Sequence, residues 1–191
     1  VWENGMAINT IEGDQKEPRL TTDGNGGVFF VWEDERNSNN TDIDIYSQHI
    51  NSSDVKTYSE NGIVVCNSLN LQFYPLVRND GDGGAFIVWA DKRSGGSYGM
   101  YLQHLTSNGT TLTSNGLSSF FGIGTDAENE PYEHEMLYLG NDEVFIYWQD
   151  NRWGESKIYG SIVTTYFDAT SEYFSNESIN GQQLSSLPNP Q

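Results

Sequence analysis

The sequence predicts an all-β chain made of repeated four-stranded antiparallel sheets. Three observations carry that expectation. Residues 28–36, Val-Phe-Phe-Val-Trp-Glu-Asp-Glu-Arg, return as residues 85–93, Ala-Phe-Ile-Val-Trp-Ala-Asp-Lys-Arg, and as residues 144–152, Val-Phe-Ile-Tyr-Trp-Gln-Asp-Asn-Arg. Trp32, Trp89 and Trp148 thus stand 57 and 59 residues apart, a period that suits one sheet unit stacked on copies of itself. Each copy is preceded by a turn-forming stretch, and no segment of the 191 residues sustains a helical period.

The elements follow in chain order. At the start, Glu3-Asn4-Gly5-Met6 matches Glu60-Asn61-Gly62-Ile63 and Ser114-Asn115-Gly116-Leu117, so residues 1–17 read as the tail of a preceding repeat. Pro18, Pro75 and Pro131 recur at intervals of 57 and 56 and are expected to mark strand entries, where no ladder donor is needed. A first strand is expected after each proline, at residues 19–22, 76–78 and 136–139. The turns are Asp23-Gly24-Asn25-Gly26-Gly27, Asp80-Gly81-Asp82-Gly83-Gly84 and, in altered form, Gly140-Asn141-Asp142-Glu143. Gly and Asn supply the positive φ angles of hairpins, so each first strand should pair antiparallel with the tryptophan strand.

In that second strand Val28, Phe30 and Trp32 point one way and Phe29 and Val31 the other. A strand apolar on both faces must be covered on both, and without helices the cover must be other sheets. Third strands are expected at residues 44–50, 99–105 and 157–163, their mixed polarity suggesting a place further from the centre. Fourth strands are expected at or just before residues 62–66, at 110–117 and around 181–184. Four antiparallel strands per 56 to 59 residues describe a β-propeller blade. The chain divides into a leading partial repeat at 1–17, then blades at 18–74, 75–130 and 131–191, the last divergent.

The succession Gln-x-x-Pro, Asp-Gly-x-Gly-Gly, Trp-x-Asp-x-Arg, Ile-Tyr-x-Gln and Asn-Gly resembles the tandem β-propeller-type repeats of large secreted or surface-attached bacterial proteins. The resemblance spans nearly the whole chain and implies an extracellular or cell-surface setting, while its motifs identify the repeat and no ligand. The third copy departs from it: the Gly-Gly turn is absent, Ser161 replaces the Gln, and a longer stretch runs through residues 164–180. Three blades do not close a ring that normally takes four to eight. The end faces should therefore be covered either by a second copy, giving a six-bladed dimer, or by neighbouring blades of a longer chain.

Charge and cysteine usage narrow the function classes. Nine Lys and Arg against 27 Asp and Glu leave a formal net charge of -18, which argues against nucleic acid and anionic membranes as partners. The acidity reads first as surface solvation. One cysteine, Cys66, excludes an internal disulfide and a cysteine-cluster metal site, and reads as a small buried strand residue. No apolar run of about 18 residues suggests membrane insertion. A chain beginning at Val1 without an initiator Met is expected to be a processed product or a section of something longer.

Candidate sites each have a plainer structural reading. Arg36, Arg93 and Arg152 follow the tryptophans at one end of each blade, where converging guanidinium forks could hold an acidic ligand as sialidase-type propellers do. Their recurrence within the repeat, as Asp-x-Arg with Asp34, Asp91 and Asp150, favours a turn-stabilising ion pair within or between blades, and the sialidase Asp-box order is absent. The Asp-Gly turns resemble fragments of calcium loops but lack the later bidentate Glu, so turn formation is favoured over calcium and no cofactor is expected. His49 and His104 are equivalent, with Ile162 in the third copy, which favours packing over metal ligation. His134, between Glu133 and Glu135, stands alone as a weaker metal candidate.

Trp2, Trp153, Tyr132, Tyr166, Phe167, Tyr173 and Phe174 lie outside the recurring core positions, where exposed rings could stack on sugars. The favoured reading is a non-enzymatic extracellular propeller module for adhesion, glycan binding or protein binding within a larger surface protein. The alternative is a glycoside hydrolase or sialidase-like propeller enzyme acting on extracellular polysaccharide, because the fold hosts both. A catalytic site should break the repeat symmetry, which points to the third copy with Arg152, Glu155 and Glu172.

Overall fold

The computed structural model describes residues 5–93, 98–114, 116–123, 134–150 and 155–164. Their regular structure is entirely β: eleven strands in three antiparallel sheets and no helix among the described residues. The first sheet runs in the order β1 (Gln15–Thr22), β2 (Val28–Asp34), β3 (Asp44–Ile50), β4 (Ile63–Cys66). The second repeats it as β5 (Gln72–Asn79), β6 (Ala85–Asp91), β7 (Tyr98–Leu105), β8 (Leu117–Ile123). The third holds β9 (His134–Gly140), β10 (Glu143–Asp150) and β11 (Lys157–Thr164), again with the tryptophan strand in the middle.

Packing follows from the two-residue alternation of the central strands. Phe29 and Val31 of the first sheet meet Ala85, Ile87 and Trp89 of the second in one buried cluster. On the other face of β6, Phe86, Val88 and Ala90 meet Val144, Ile146 and Trp148 of the third sheet in a second cluster. Each sheet therefore has a phenylalanine face and a tryptophan face, and the phenylalanine face of one is covered by the tryptophan face of the next. At roughly 25 cal/mol per Å² of buried apolar surface, these two double layers are the main stabilising term. The first strands are drawn together, with β5 lying against both β1 and β9.

Three expectations are corrected by the fold. Pro18 and Pro75 do not open their strands; β1 and β5 start three residues earlier, and each proline sits at a register shift, between Lys16 and Arg19 or Phe73 and Leu76. Glu17 and Tyr74 just before them take positive φ, 48° and 55°, so the proline marks a bulge where the missing N–H costs no ladder bond. The third strands of the first two sheets are not peripheral in environment: β3 and β7 are buried along their whole length, because their polar side chains are satisfied internally, whereas residues 157–163 of β11 are exposed or half-buried. The fourth strand of the second sheet lies at Leu117–Ile123 rather than 110–117, the earlier residues forming a turn with a Leu105–Thr111 bridge. The strand expected around 181–184 lies outside the described residues.

Gln48 and Gln103 show how that burial is achieved. Gln48 Oε1 accepts from the N–H groups of His49 and Tyr58, and its Nε2 donates to the Ser59 carbonyl at 2.8 Å. Gln103 does the same for the following turn, accepting from His104, Leu112 and Thr113 and donating to the Thr113 carbonyl at 2.6 Å. One glutamine thus supplies the partners for a loop that leaves the sheet.

The recurring Asn-Gly has an equally local cause. Gly62 (φ 81°) and Gly116 (φ 75°) are in left-handed conformation, and a Cβ at either would strike the six-membered ring edge of Trp32 or Trp89. The glycine belongs to the tryptophan.

Candidate functional site

Two groups of polar side chains recur at opposite ends of the sheets. At the end of β2, Trp32 Nε1 donates to Asp34 Oδ2 at 2.7 Å, and Arg36 donates from Nε to Oδ1 and from Nη2 to Oδ2, both at 2.7 Å. The guanidinium also donates to the Asn61 carbonyl and lies 3.7 Å over the Tyr46 ring. The second sheet copies the arrangement: Trp89 and Arg93 both donate to Asp91 Oδ2, and Arg93 lies 3.7 Å over Tyr101. Arg93 Nη2 additionally meets the Cys66 sulfur at 3.1 Å. Such forks, folded onto a buried carboxylate and stacked on an aromatic face, lock the strand end. The expected ion pairs are therefore present for Arg36 and Arg93, while Arg152 lies outside the described residues.

At the opposite end, the Asp-Gly turns carry a pairing that the sequence reading missed. Asp23 Oδ1 accepts from the N–H groups of Asn25 and Gly27, each at 2.7 Å, and Oδ2 pairs with His49 Nε2 at 3.0 Å. His49 stacks on Phe29 and its Nδ1 meets Thr57 Oγ1 at 2.8 Å. Asp80 repeats this with Asp82, Gly84 and His104, whose ring stacks on Phe86. Burial alone would raise both carboxyls. For Asp23 the Asn25 N–H, His49 and the Gly27 N–H outweigh it, and for Asp80 the bond with His104 and two backbone N–H groups do. Both carboxyls are held below their ordinary range.

A signal for this pairing did exist. Aspartate turn and histidine occur together in the first two copies and leave together in the third, where Ile162 stands in the histidine position and β9 joins β10 through Asn141 and Asp142, both at positive φ. The loop expected to resemble a calcium site is a turn whose aspartate is occupied by its own backbone and a histidine. Among the described residues no three His, Cys, Asp or Glu side chains converge as a metal set. His134 is buried at the start of β9, opposite Trp148, and Glu133 lies outside the described residues.

The change of turn in the third copy has a geometric counterpart. Between the first two sheets Asn79 Nδ2 donates to the Thr22 carbonyl at 2.7 Å and closes the edge. Tyr138 stands in the place of Asn79 between the second and third sheets, packed on Phe86. There a cleft of about 240 Å³ is lined by Asp80, Asp82, His104, Thr106, Ser107, Tyr138 and Asp142, with Gly83 and Gly84 as its backbone wall. Its lining combines hydroxyls, carboxylates and one aromatic ring. The volume is below the roughly 300–1,000 Å³ of drug-sized sites, which suits a small polar ligand.

The remaining candidates separate cleanly. Glu155 is exposed and paired with Lys157, away from the cleft lining, and Glu172 lies outside the described residues. The non-repeating aromatics Trp2, Trp153, Tyr132, Tyr166, Phe167, Tyr173 and Phe174 also lie outside them. No protein-family model matches the chain, and no curated protein or solved structure matches it.

Proposed function

We propose that the chain is a non-enzymatic, propeller-type module of an extracellular or surface protein, and that it binds a small polar group of a glycan in the cleft between the second and third sheets. The observation that carries this reading is the cleft itself. It lies where the repeat is broken, and its lining is suited to sugars: hydroxyl and carboxylate oxygens for the ligand's hydroxyls and a tyrosine ring for its C–H face. Asp80 and His104 form the rigid wall, since the Asp80 oxygens are committed to backbone and imidazole. Asp82 and Ser107 supply the adaptable contacts, since the Thr106 hydroxyl is bonded to Asn108 and Thr110 of its own turn. A net charge of -18 and carboxylates at the cleft favour neutral or amino sugars over acidic ones.

The test is a glycan array followed by titration calorimetry on the strongest hit. Asp82→Asn and Tyr138→Ala should each weaken binding at least tenfold, and Lys16→Ala, on the first sheet, should leave it unchanged. Binding that ignores both cleft variants refutes the site. Release of new reducing ends from a bound polysaccharide would favour the glycoside-hydrolase alternative.

A further inference from the structure

The face of the third sheet turned away from the second carries apolar side chains on all three strands, with Glu135 beside Tyr147 and Gln149 beside Ile158 as its polar members. Leu137 and Leu139 of β9, Phe145 and Tyr147 of β10, and Ile158 and Ile162 of β11 share it, since Phe145 is paired with both Leu137 and Ile162. All but the half-buried Phe145 are between 39% and 69% exposed. A contiguous apolar sheet face of this kind is a docking surface. Its register says what it fits: Phe145 occupies the position of Phe29 and Phe86, so this is a phenylalanine face, and both other phenylalanine faces are covered by a tryptophan-face sheet.

Among the described residues the opposite end of the stack lacks the matching cover. On the tryptophan face of the first sheet Leu20 is 64% exposed and Val28 and Phe30 are half-buried, whereas their counterparts Val77, Ala85 and Ile87 in the second sheet are fully buried. Val64, on the same face beside Tyr46, is 37% exposed. The two open faces are thus of complementary type. The polar rim matches too. In the first junction Glu33 Oε1 accepts the Tyr74 N–H at 2.8 Å. At the open end Gln149 holds the Glu33 position and Glu17 the Tyr74 position, so in a head-to-tail pair a neutral acceptor would meet that N–H in place of a second carboxylate.

We infer that the exposed face of the third sheet receives the first sheet of a second copy of this chain, head to tail. This continues the junction already made twice within the chain. A two-fold pair satisfies both open ends at once and closes six sheets into a ring, a closure that rests on the propeller reading above.

The experiment is multi-angle light scattering on the intact chain at about 50 µM, with Ile158→Glu and Leu20→Glu variants checked for native near-ultraviolet dichroism. The wild type should show twice the 21.4 kDa of one chain. Either variant should shift the population to monomer, with at least a tenfold weaker dimer. Because each of the two equivalent junctions joins unlike faces, mixing the two variants should restore dimers through the one junction that remains apolar on both sides.

A wild-type monomer overturns the inference. So does a dimer broken by Ile158→Glu and untouched by Leu20→Glu, which is the signature of two third sheets meeting face to face. Glycan binding by a monomer would remove the pairing and leave the proposed function standing.

Discussion

Substituting Gly62 by Ala isolates the contact that ties the Asn-Gly motif to the tryptophan strand. Gly62 has φ 81°, and a Cβ there would sit 2.6 Å from both the Ser47 carbonyl oxygen and Trp32 Cη2. Neither neighbour is free to yield. The carbonyl is part of β3, and the Trp32 ring is anchored through Nε1 to Asp34. Left-handed backbone costs an L-residue about 1–2 kcal/mol, and overpacking adds about 1–3 kcal/mol. Reduced freedom of the unfolded chain returns about 0.4–1 kcal/mol, leaving a net loss of about 2–4 kcal/mol. Gly81→Ala is the control: φ is 82°, but the nearest atom, Tyr138 Cε1, is at an ordinary 3.6 Å, so only the backbone cost applies.

The assay is urea unfolding followed by tryptophan fluorescence. With a slope near 2 kcal/mol per molar, Gly62→Ala should lower the midpoint by about 1–2 M and Gly81→Ala by less than about 0.8 M. Equal shifts in the two variants would refute the reasoning, because they would mean that backbone conformation, and not the tryptophan ring, demands the glycine.

Two further outcomes follow from the buried polar groups. Asp23 and Asp80 have lowered carboxyl pKa values in the folded chain, so the stability they contribute is fully present above the unfolded carboxylate range and is lost as pH falls through the lowered folded values. Acid titration by circular dichroism should show the double variant Asp23→Asn/Asp80→Asn with a flatter stability profile below about pH 4 than the wild type; parallel profiles would contradict it. The Cys66 thiol is pushed up to about 11, chiefly by burial. It should resist a disulfide reagent at pH 8 in the folded chain and react within seconds in urea, and fast labelling of the native protein would show that it is accessible.

The strand plan was legible because its signals are local. A five-residue apolar run alternating between two faces, repeated with its turn, defines β2, β6 and β10 whatever the neighbours do, and β3 was placed at its observed bounds. The ion pairs of Arg36 and Arg93 were legible for the same reason, being two residues from their aspartates. The Asp23–His49 and Asp80–His104 pairs were not, since partners 26 and 24 residues apart meet only when a loop folds over a strand end. The proline bulges escaped for another reason: a ring without an N–H fits both a strand entry and a register shift, and only the ladder distinguishes them.

Sequence by itself determined the all-β class, the tryptophan strands with the strands that follow them, the three-fold repetition and the need for cover on both faces of each tryptophan strand, because alternation and turn chemistry act over a few residues. Tertiary structure alone decided which sheet covers which face, that the cleft opens between the second and third sheets, and that the third sheet keeps an apolar face exposed. Those outcomes depend on how whole faces stack, and stacking is a property of residues that are far apart in the chain.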